Sequence, residues 1–244
     1  MPNGGVETIE LHGEGTRYAL SYSYSTHDIR DHIMNVVGGD AYILPRSKNY
    51  QPTLILDVGA NIGASMIFMR NRFPGVPIIC YEPAADNLAF LRINSKQAEP
   101  VEIVPCALSN KEGTTRLYHG RMYGLQNSIH ASKETDPNRF EDVKVLDAAK
   151  ELAARIIPGT LLKMDTEGCE LEILRAISSR LNDLSLIFLE FHSETDRRAI
   201  DRLLEKTHTL FSGKITDPYR GSLGYLNTEW LRQQPELQHL EIRD

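Results

Sequence analysis

The chain has 244 residues, enough for one large α/β domain with a full core, and no long linker divides it. Its 27 Lys and Arg against 33 Asp and Glu give a net charge of −6, which argues against a general nucleic-acid backbone binder. The three cysteines, Cys80, Cys106 and Cys169, lie in or beside apolar segments without a CxxC pair, so reduced, buried thiols are expected and a zinc site has little support.

The first residues, MPNGGVETIELHGEG, lack an apolar signal core, and no apolar run approaches the ~20 residues of a membrane span. A soluble, cytoplasmic protein with no membrane partner is expected. Residues 1–50 read as an appendage. In RYALSYSYS, Tyr18, Leu20, Tyr22 and Tyr24 alternate, which suits a short strand with one covered face. THDIRDHIMNVVGG then reads as a helix with Thr26 as N-cap and Gly38 as stop signal. The Tyr-bearing strand is a candidate substrate cover or homodimer contact.

From Thr53 onward, apolar runs alternate with helical patterns, so residues 51–244 read as the main domain. Strands are predicted over 54–58, 77–82, 101–105, 160–165 and 184–191, and helices over 62–72, 84–97, 147–156, 168–177 and 195–206. Strands separated by helices of this length pair in parallel through right-handed crossovers. HTLFSGKI and SLGYLNTEWL, separated by the turn-rich TDPYRG, read as an antiparallel pair at the sheet edge. Residues 118–142 lack helical or strand periodicity and read as a long loop, which in a compact domain is usually functional or disordered.

LILDVGANIG, residues 54–63, ends a buried strand on Asp57 and follows it with Gly59 and Gly63. Ligands of open parallel sheets bind beyond the carboxyl ends of strands, where a glycine permits close approach and a following helix directs free N–H groups outward. Asp57 would repel a pyrophosphate, but it suits the ammonium of an amino-acid moiety. The next strand ends on Glu82, about 20 residues past the glycines, where an acid accepts hydrogen bonds from ribose hydroxyls. An amino-acid end plus a ribose describes S-adenosylmethionine better than a dinucleotide, and the spacing lacks the G-x-G-x-x-G of nicotinamide enzymes.

LDVGANIG (56–63), YEP (81–83), ALSNKEGTTRLY (107–118), LLKMDTEGCELEIL (161–174) and IFLEFH (187–192) together resemble the FkbM-type methyltransferases, members of the class I S-adenosylmethionine-dependent enzymes. The match covers roughly residues 30–230. Asn61 stands where the wider superfamily commonly has a glycine, a position at which Asn tolerates unusual backbone angles. The resemblance implies a Rossmann-like, doubly wound sheet of seven strands, five parallel, with an antiparallel pair at one edge. It also implies that Asp57, Gly59, Asn61 and Gly63 line the methionine and ribose part of the cofactor pocket, that Glu82 binds the ribose diol, and that Ala107 and Leu108 lie near the adenine. Family members commonly methylate oxygen on sugars, polyketides and other natural products, so a small-molecule or glycan acceptor is implied.

Methyl transfer to an alcohol requires an aligned nucleophile, a dry site and a group that takes the proton. Asp165 and Glu167 occupy the turn after the fourth strand. Asp165 is expected to face the cleft, whereas Glu167 either contacts substrate or caps the following helix, with Glu170 its neighbour there. Lys163 shares the period-two spacing with Asp165 and holds carboxylates or polarises a substrate oxygen. Glu190 and His192 repeat that spacing at the end of the fifth strand, and His192 is the natural general base near neutral pH. Asp165, Glu190 and His192 offer suitable ligand types for a divalent ion, but the spacing is not diagnostic and no metal is predicted. In the 118–142 stretch, Tyr123, Asn127 and Ser128 are candidate substrate contacts, and Asn127-Ser128 resembles a family position near the active site. The competing readings are a nicotinamide-dependent oxidoreductase and a non-catalytic cofactor-binding module.

Overall fold

The computed structural model describes residues 6–13, 16–23, 27–39, 41–45, 47, 49–120, 126–133 and 135–234. The chain opens with an antiparallel hairpin, β1 (Val6–Gly13) and β2 (Thr16–Ser23), followed by α1 (His27–Gly38). It continues as β3 (Ile55–Val58), α2 (Ala64–Arg72), β4 (Ile78–Tyr81), α3 (Ala85–Ser95) and β5 (Val101–Val104). Next come β6 (Ala107–Ser109), β7 (Gly113–Gly120), β8 (Thr135–Asp147) and α4 (Ala148–Arg155). The remainder is β9 (Thr160–Met164), α5 (Glu170–Ala176), a 3₁₀ segment (Ser178–Asp183), β10 (Leu184–Phe191), α6 (Glu194–Leu204), β11 (His208–Asp217), β12 (Arg220–Asn227) and α7 (Thr228–Arg232).

Seven strands form one sheet in the order β11-β12-β10-β9-β3-β4-β5. The five from β10 to β5 run parallel, and β12 and β11 close the edge as an antiparallel pair. Side chains alternate across the pleat, so each strand feeds two cores. Ile55, Ile78 and Leu161 pack with α1, α2 and α3, whereas Leu56, Ile79 and Leu162 pack with α4, α5 and α6. Leu56, Leu161 and Leu162 are fully buried, each contributing about 1.5–3 kcal/mol relative to exposure. The chain leaves β3 toward β4 and β5 and returns on the other side at β9, which makes the β3–β9 boundary the topological switch point.

Three sequence expectations are revised or completed. The strand at RYALSYSYS has a partner, β1, and its Leu20 and Tyr22 are buried as the alternation requires. Tyr24 and the expected N-cap Thr26 lie outside the described residues. Residues 118–142 are not one long loop: most of their described residues belong to β7 and β8, which with β6 form a second, three-stranded sheet. The end of SLGYLNTEWL is helical, because Asn227 accepts a hydrogen bond from the Trp230 amide at 3.0 Å and starts α7. Among the described residues no helix is long and apolar enough to cross a membrane, and the three cysteines are buried free thiols.

Candidate active site

A cleft of about 600 Å³ opens over the carboxyl ends of the parallel strands. It is bounded by the 59–62 turn, the ends of β9 and β10, the β7–β8 wall, the β11–β12 wall, and residues of α1 and the segment after it. A smaller cavity of about 60 Å³ continues from it beneath Glu82, Ala107 and Leu108.

The switch point is built on a charge pair. Asp57 and Lys163 are register partners on β3 and β9, so their side chains share one face. Lys163 Nζ lies 3.1 Å from Asp57 Oδ1 and donates to the Gly59 carbonyl at 2.7 Å, while Ser65 Oγ donates to Asp57 Oδ2 at 2.6 Å. Burial opposes the Lys163 charge, but Asp57, Tyr42 and Asp165 together hold its pKa above the ordinary value. Asp57 is 0% exposed. The expected receiver of a ligand's ammonium therefore receives the protein's own, and Lys163, not Asp57, lines the cleft.

The glycines divide by role. Gly59, at φ 77°, carries no Cβ because one would lie 1.8 Å from the Asp165 carbonyl oxygen, so this glycine lets the β3 and β9 loops touch. Gly63, at φ 95°, lines neither cavity; its Cβ would meet Leu91 and Met66 at the packing of α2 on α3. Asn61 adopts φ 52°, and its amide donates to Glu82 Oε2 at 2.8 Å. Glu82 Oε1 accepts from the Ala84 amide at 2.9 Å and from Asn87 Nδ2 at 3.3 Å. Burial raises the Glu82 pKa to about 7 against the pull of these donors. Ala107 and Leu108 line the small cavity beside it.

At the opposite side, Asp165 continues the β9 ladder through its amide, which donates to the Val58 carbonyl at 3.0 Å. Asp165, Glu167 and Glu190 all line the cleft. Burial, then the charges of Asp165 and Glu167 and a hydrogen bond with Asp165, raise the Glu190 pKa to about 10. Burial and the neighbouring carboxylates thus favour a proton on this pair, and the two carboxyls titrate together. The residue that caps the α5 entry is Glu170: its Oε1 accepts from the Thr166 amide at 2.7 Å and Thr166 Oγ1 at 2.9 Å. Glu167 is instead held in the left-handed region at φ 57° and pairs with Arg220 Nη2 at 3.0 Å.

His192 departs from expectation. The strand ends at Phe191, so the period-two relation to Glu190 lapses, and among the described residues His192 lines neither cavity. Its Nδ1 faces Arg220 Nε at 3.1 Å and Nη2 at 2.9 Å; because guanidinium only donates, Nδ1 is the acceptor and the proton sits on Nε2. Donor atoms of Asp165, Glu167, Glu190 and His192 lie within 4.8 Å of one another, in reach of one metal ion. A protein cation already serves this cluster, since Arg220 also lies 3.8 Å from Glu190.

Of the expected substrate contacts, Asn127 lines both cavities while its Oδ1 accepts from the Gly120 amide at 3.0 Å. Ser128 is buried and donates to the Glu167 carbonyl at 2.8 Å, which makes it a brace for the 166–168 turn. Tyr123 lies outside the described residues. Two cleft residues escaped the sequence reading: Arg220 and Tyr42. Tyr42 packs at 5.6 Å from Phe68 and 5.3 Å from Phe188 by ring centroids. Burial raises its hydroxyl pKa, modulated by Lys163, Asp165, Asp57 and Glu190 around it. Neither residue stands in a motif that spacing alone would flag.

A doubly wound sheet with carboxylates at its switch point is an architecture for binding a nucleotide-like ligand and moving a proton beside it. The chain belongs to the methyltransferase FkbM domain family, whose model matches residues 57–212. It is similar to Methyltransferase 1 of Beauveria bassiana, with 24% identity over 54% of this chain and 61% of that protein. It is also similar to the hexuronic acid methyltransferase AglP of Haloferax volcanii, with 22% identity over 63% of this chain and 62% of that protein. The chain thus spans about three fifths of the length of these curated relatives. Among solved structures, methyltransferase FkbM from Methylobacillus flagellatus KT shares the fold at a TM-score of 0.51 and 17% identity, covering 72% of this chain and 43% of that one.

Proposed function

We propose that this protein is an S-adenosylmethionine-dependent methyltransferase that acts on a hydroxyl group of a small molecule or glycan. The observation that carries this reading is the pair of carboxyls at adjoining strand ends, Asp165 and Glu190, whose oxygens lie within 4.8 Å of each other and face a cleft that runs to the buried carboxylate of Glu82. Family membership supports the reaction class, and the name of the Haloferax volcanii relative, a hexuronic acid methyltransferase, supports a sugar-like acceptor.

The donor set suits the cofactor. Glu82 Oε2 accepts from the Asn61 amide, and a carboxylate oxygen has a second lone pair that suits a ribose hydroxyl. The apolar lining at Ala107 and Leu108 suits an adenine. When bound, S-adenosylmethionine supplies a methyl group made electrophilic by its sulfonium. The protein's task is to align the acceptor oxygen and remove its proton. Asp165 is the base in this reading, and Glu190 holds a proton against it. Lys163, locked to Asp57 and Gly59, fixes the strand ends, and Arg220 orients Glu167 and His192. We further assign residues 1–50 as a cover, because Tyr22, Ile33, Tyr42 and Ile43 line the cleft.

Calorimetry with S-adenosylhomocysteine tests the cofactor assignment. Binding that weakens by ~1.5–3 kcal/mol in Glu82→Ala is expected, as for hydrogen bonds to a charged acceptor. No binding at millimolar concentration would end the reading. Binding without turnover of any labelled acceptor would favour the non-catalytic module.

A further inference from the structure

The acceptor end of the cleft has two walls from different sheets, and their chemistry is not that of an apolar natural product. On β11, Ser212, Lys214 and Thr216 recur at every second position and all line the cleft. Ser222, the register partner of Lys214 on β12, lines it too. Across the cleft, His119 and Arg139 from β7 and β8 line it, whereas their neighbours Tyr118 and Phe140 meet edge-on at 6.2 Å between centroids.

The charges on these walls are unevenly matched. Lys163 is set against Asp57, Arg220 against Glu167, and His119 lies 3.6 Å from Glu141. Arg139 and Lys214 are exposed and, among the described residues, have no ion-pair partner. The β8 and β11 walls therefore offer hydroxyl groups and two cations without an ion-pair partner among the described residues, while the Asp165–Glu190 pair keeps a net negative charge at the floor and Asp86 lines the cleft from α3.

We propose that the acceptor is a polyhydroxylated oxyanion, a sugar acid or sugar phosphate, whose anionic group is held by Arg139 and Lys214 and whose reacting hydroxyl is remote from that group. This rests on the methyltransferase reading above. The placement follows from repulsion: an oxyanion at the Asp165–Glu190 floor would face a carboxylate, whereas at the rim it meets cations and water. The reaction forms a bond between the hydroxyl oxygen and the methyl carbon, breaks the carbon–sulfur bond, and leaves the proton on Asp165. The product is an ether, and the anionic group is unchanged.

The test uses protein saturated with S-adenosylhomocysteine, titrated with methyl hexuronosides, hexose 6-phosphates and the matching neutral methyl hexosides. An anionic probe should bind at least about tenfold more tightly than its neutral match, as for charge-assisted hydrogen bonds to Arg and Lys. That preference should disappear in the Arg139→Ala/Lys214→Ala double variant with S-adenosylhomocysteine affinity unchanged. A better response to hexuronosides or to phosphates identifies which oxyanion is used. With labelled S-adenosylmethionine, the methyl group should resist mild alkali, as an ether does. Equal or absent binding of anionic and neutral probes overturns the inference, as does a preference that survives the double variant. Alkali-labile label would make the carboxylate itself the nucleophile and overturn the placement. Failure of S-adenosylhomocysteine to bind strikes the methyltransferase reading instead, and the inference falls with it.

Discussion

Gly59 shows how a residue chosen for one reason is needed for another. The sequence places a small residue after β3 for the sake of a ligand, yet the nearest obstacle to a side chain is the Asp165 carbonyl oxygen at 1.8 Å. Gly59→Ala should therefore lower thermal stability and cofactor affinity together, because the β9 loop that carries Asp165 must move. Gly75, at φ 79° with nothing within 4 Å of its Cβ position, is the control: alanine there should cost only the left-handed strain, about 1–2 kcal/mol. A Gly59→Ala protein with parent stability and lost cofactor binding would restore the purely steric role. The same scale separates the two candidate bases. Asp165→Asn should slow single-turnover methylation by ~10²–10⁴. His192→Ala, which removes an acceptor of Arg220 but no side chain that lines the cleft, should change the rate far less, and a reversal of that order would return the proton to His192.

At the scale of elements, much was legible because the physical signal was local. The five parallel strands are short apolar runs separated by helical and turn segments, and each lies within a residue or two of its predicted place. The β6–β8–β7 sheet was not legible: in β8 the first half is largely exposed, and the buried alternation is confined to Val143 and Val145. The β1–β2 hairpin depends on distant polar anchors that no local pattern reveals. Asn94 accepts from the Ser21 amide at 2.8 Å and donates to the Ser21 and Ile62 carbonyls at 2.9 and 2.7 Å. The strand-end carboxylates were legible by position, but their partners were not, since Lys163 meets Asp57 only through sheet order. Asn94→Ala should destabilise the protein by ~1–3 kcal/mol, because it strands polar groups of the hairpin and of the 59–63 turn at once. Denaturant unfolding checks the size, and an unchanged midpoint would mean that the hairpin is held by apolar packing alone.

Over the whole molecule, stability should depend on pH in a way that reports on the candidate site. Glu82 and Glu190 titrate near 4.5 in an unfolded chain, but at about 7 and about 10 in the fold. Above pH 4.5 the folded state keeps protons that the unfolded state has lost, so stability falls as pH rises. The Glu82 contribution is fully present below pH 4.5 and gone above about 7; that of Glu190 declines on toward about 10. His208 opposes this at acid pH. Burial lowers its pKa from 6.5 to about 4, so its contribution is present above 6.5 and is lost as pH falls toward 4. The two carboxyls outnumber the one imidazole, and the ligand-free protein should be more stable at pH 5.5 than at pH 8.5. A ribose hydroxyl donating to Glu82 favours its ionised form, so S-adenosylhomocysteine should bind more tightly, and raise the melting temperature more, at pH 8 than at pH 6. Glu82→Gln cannot ionise, so the difference between its stability and that of the parent should change across pH 4.5–7, and the pH dependence of ligand binding should flatten. Parallel melting curves for parent and variant, with ligand affinity equally pH-dependent in both, would remove Glu82 from the site.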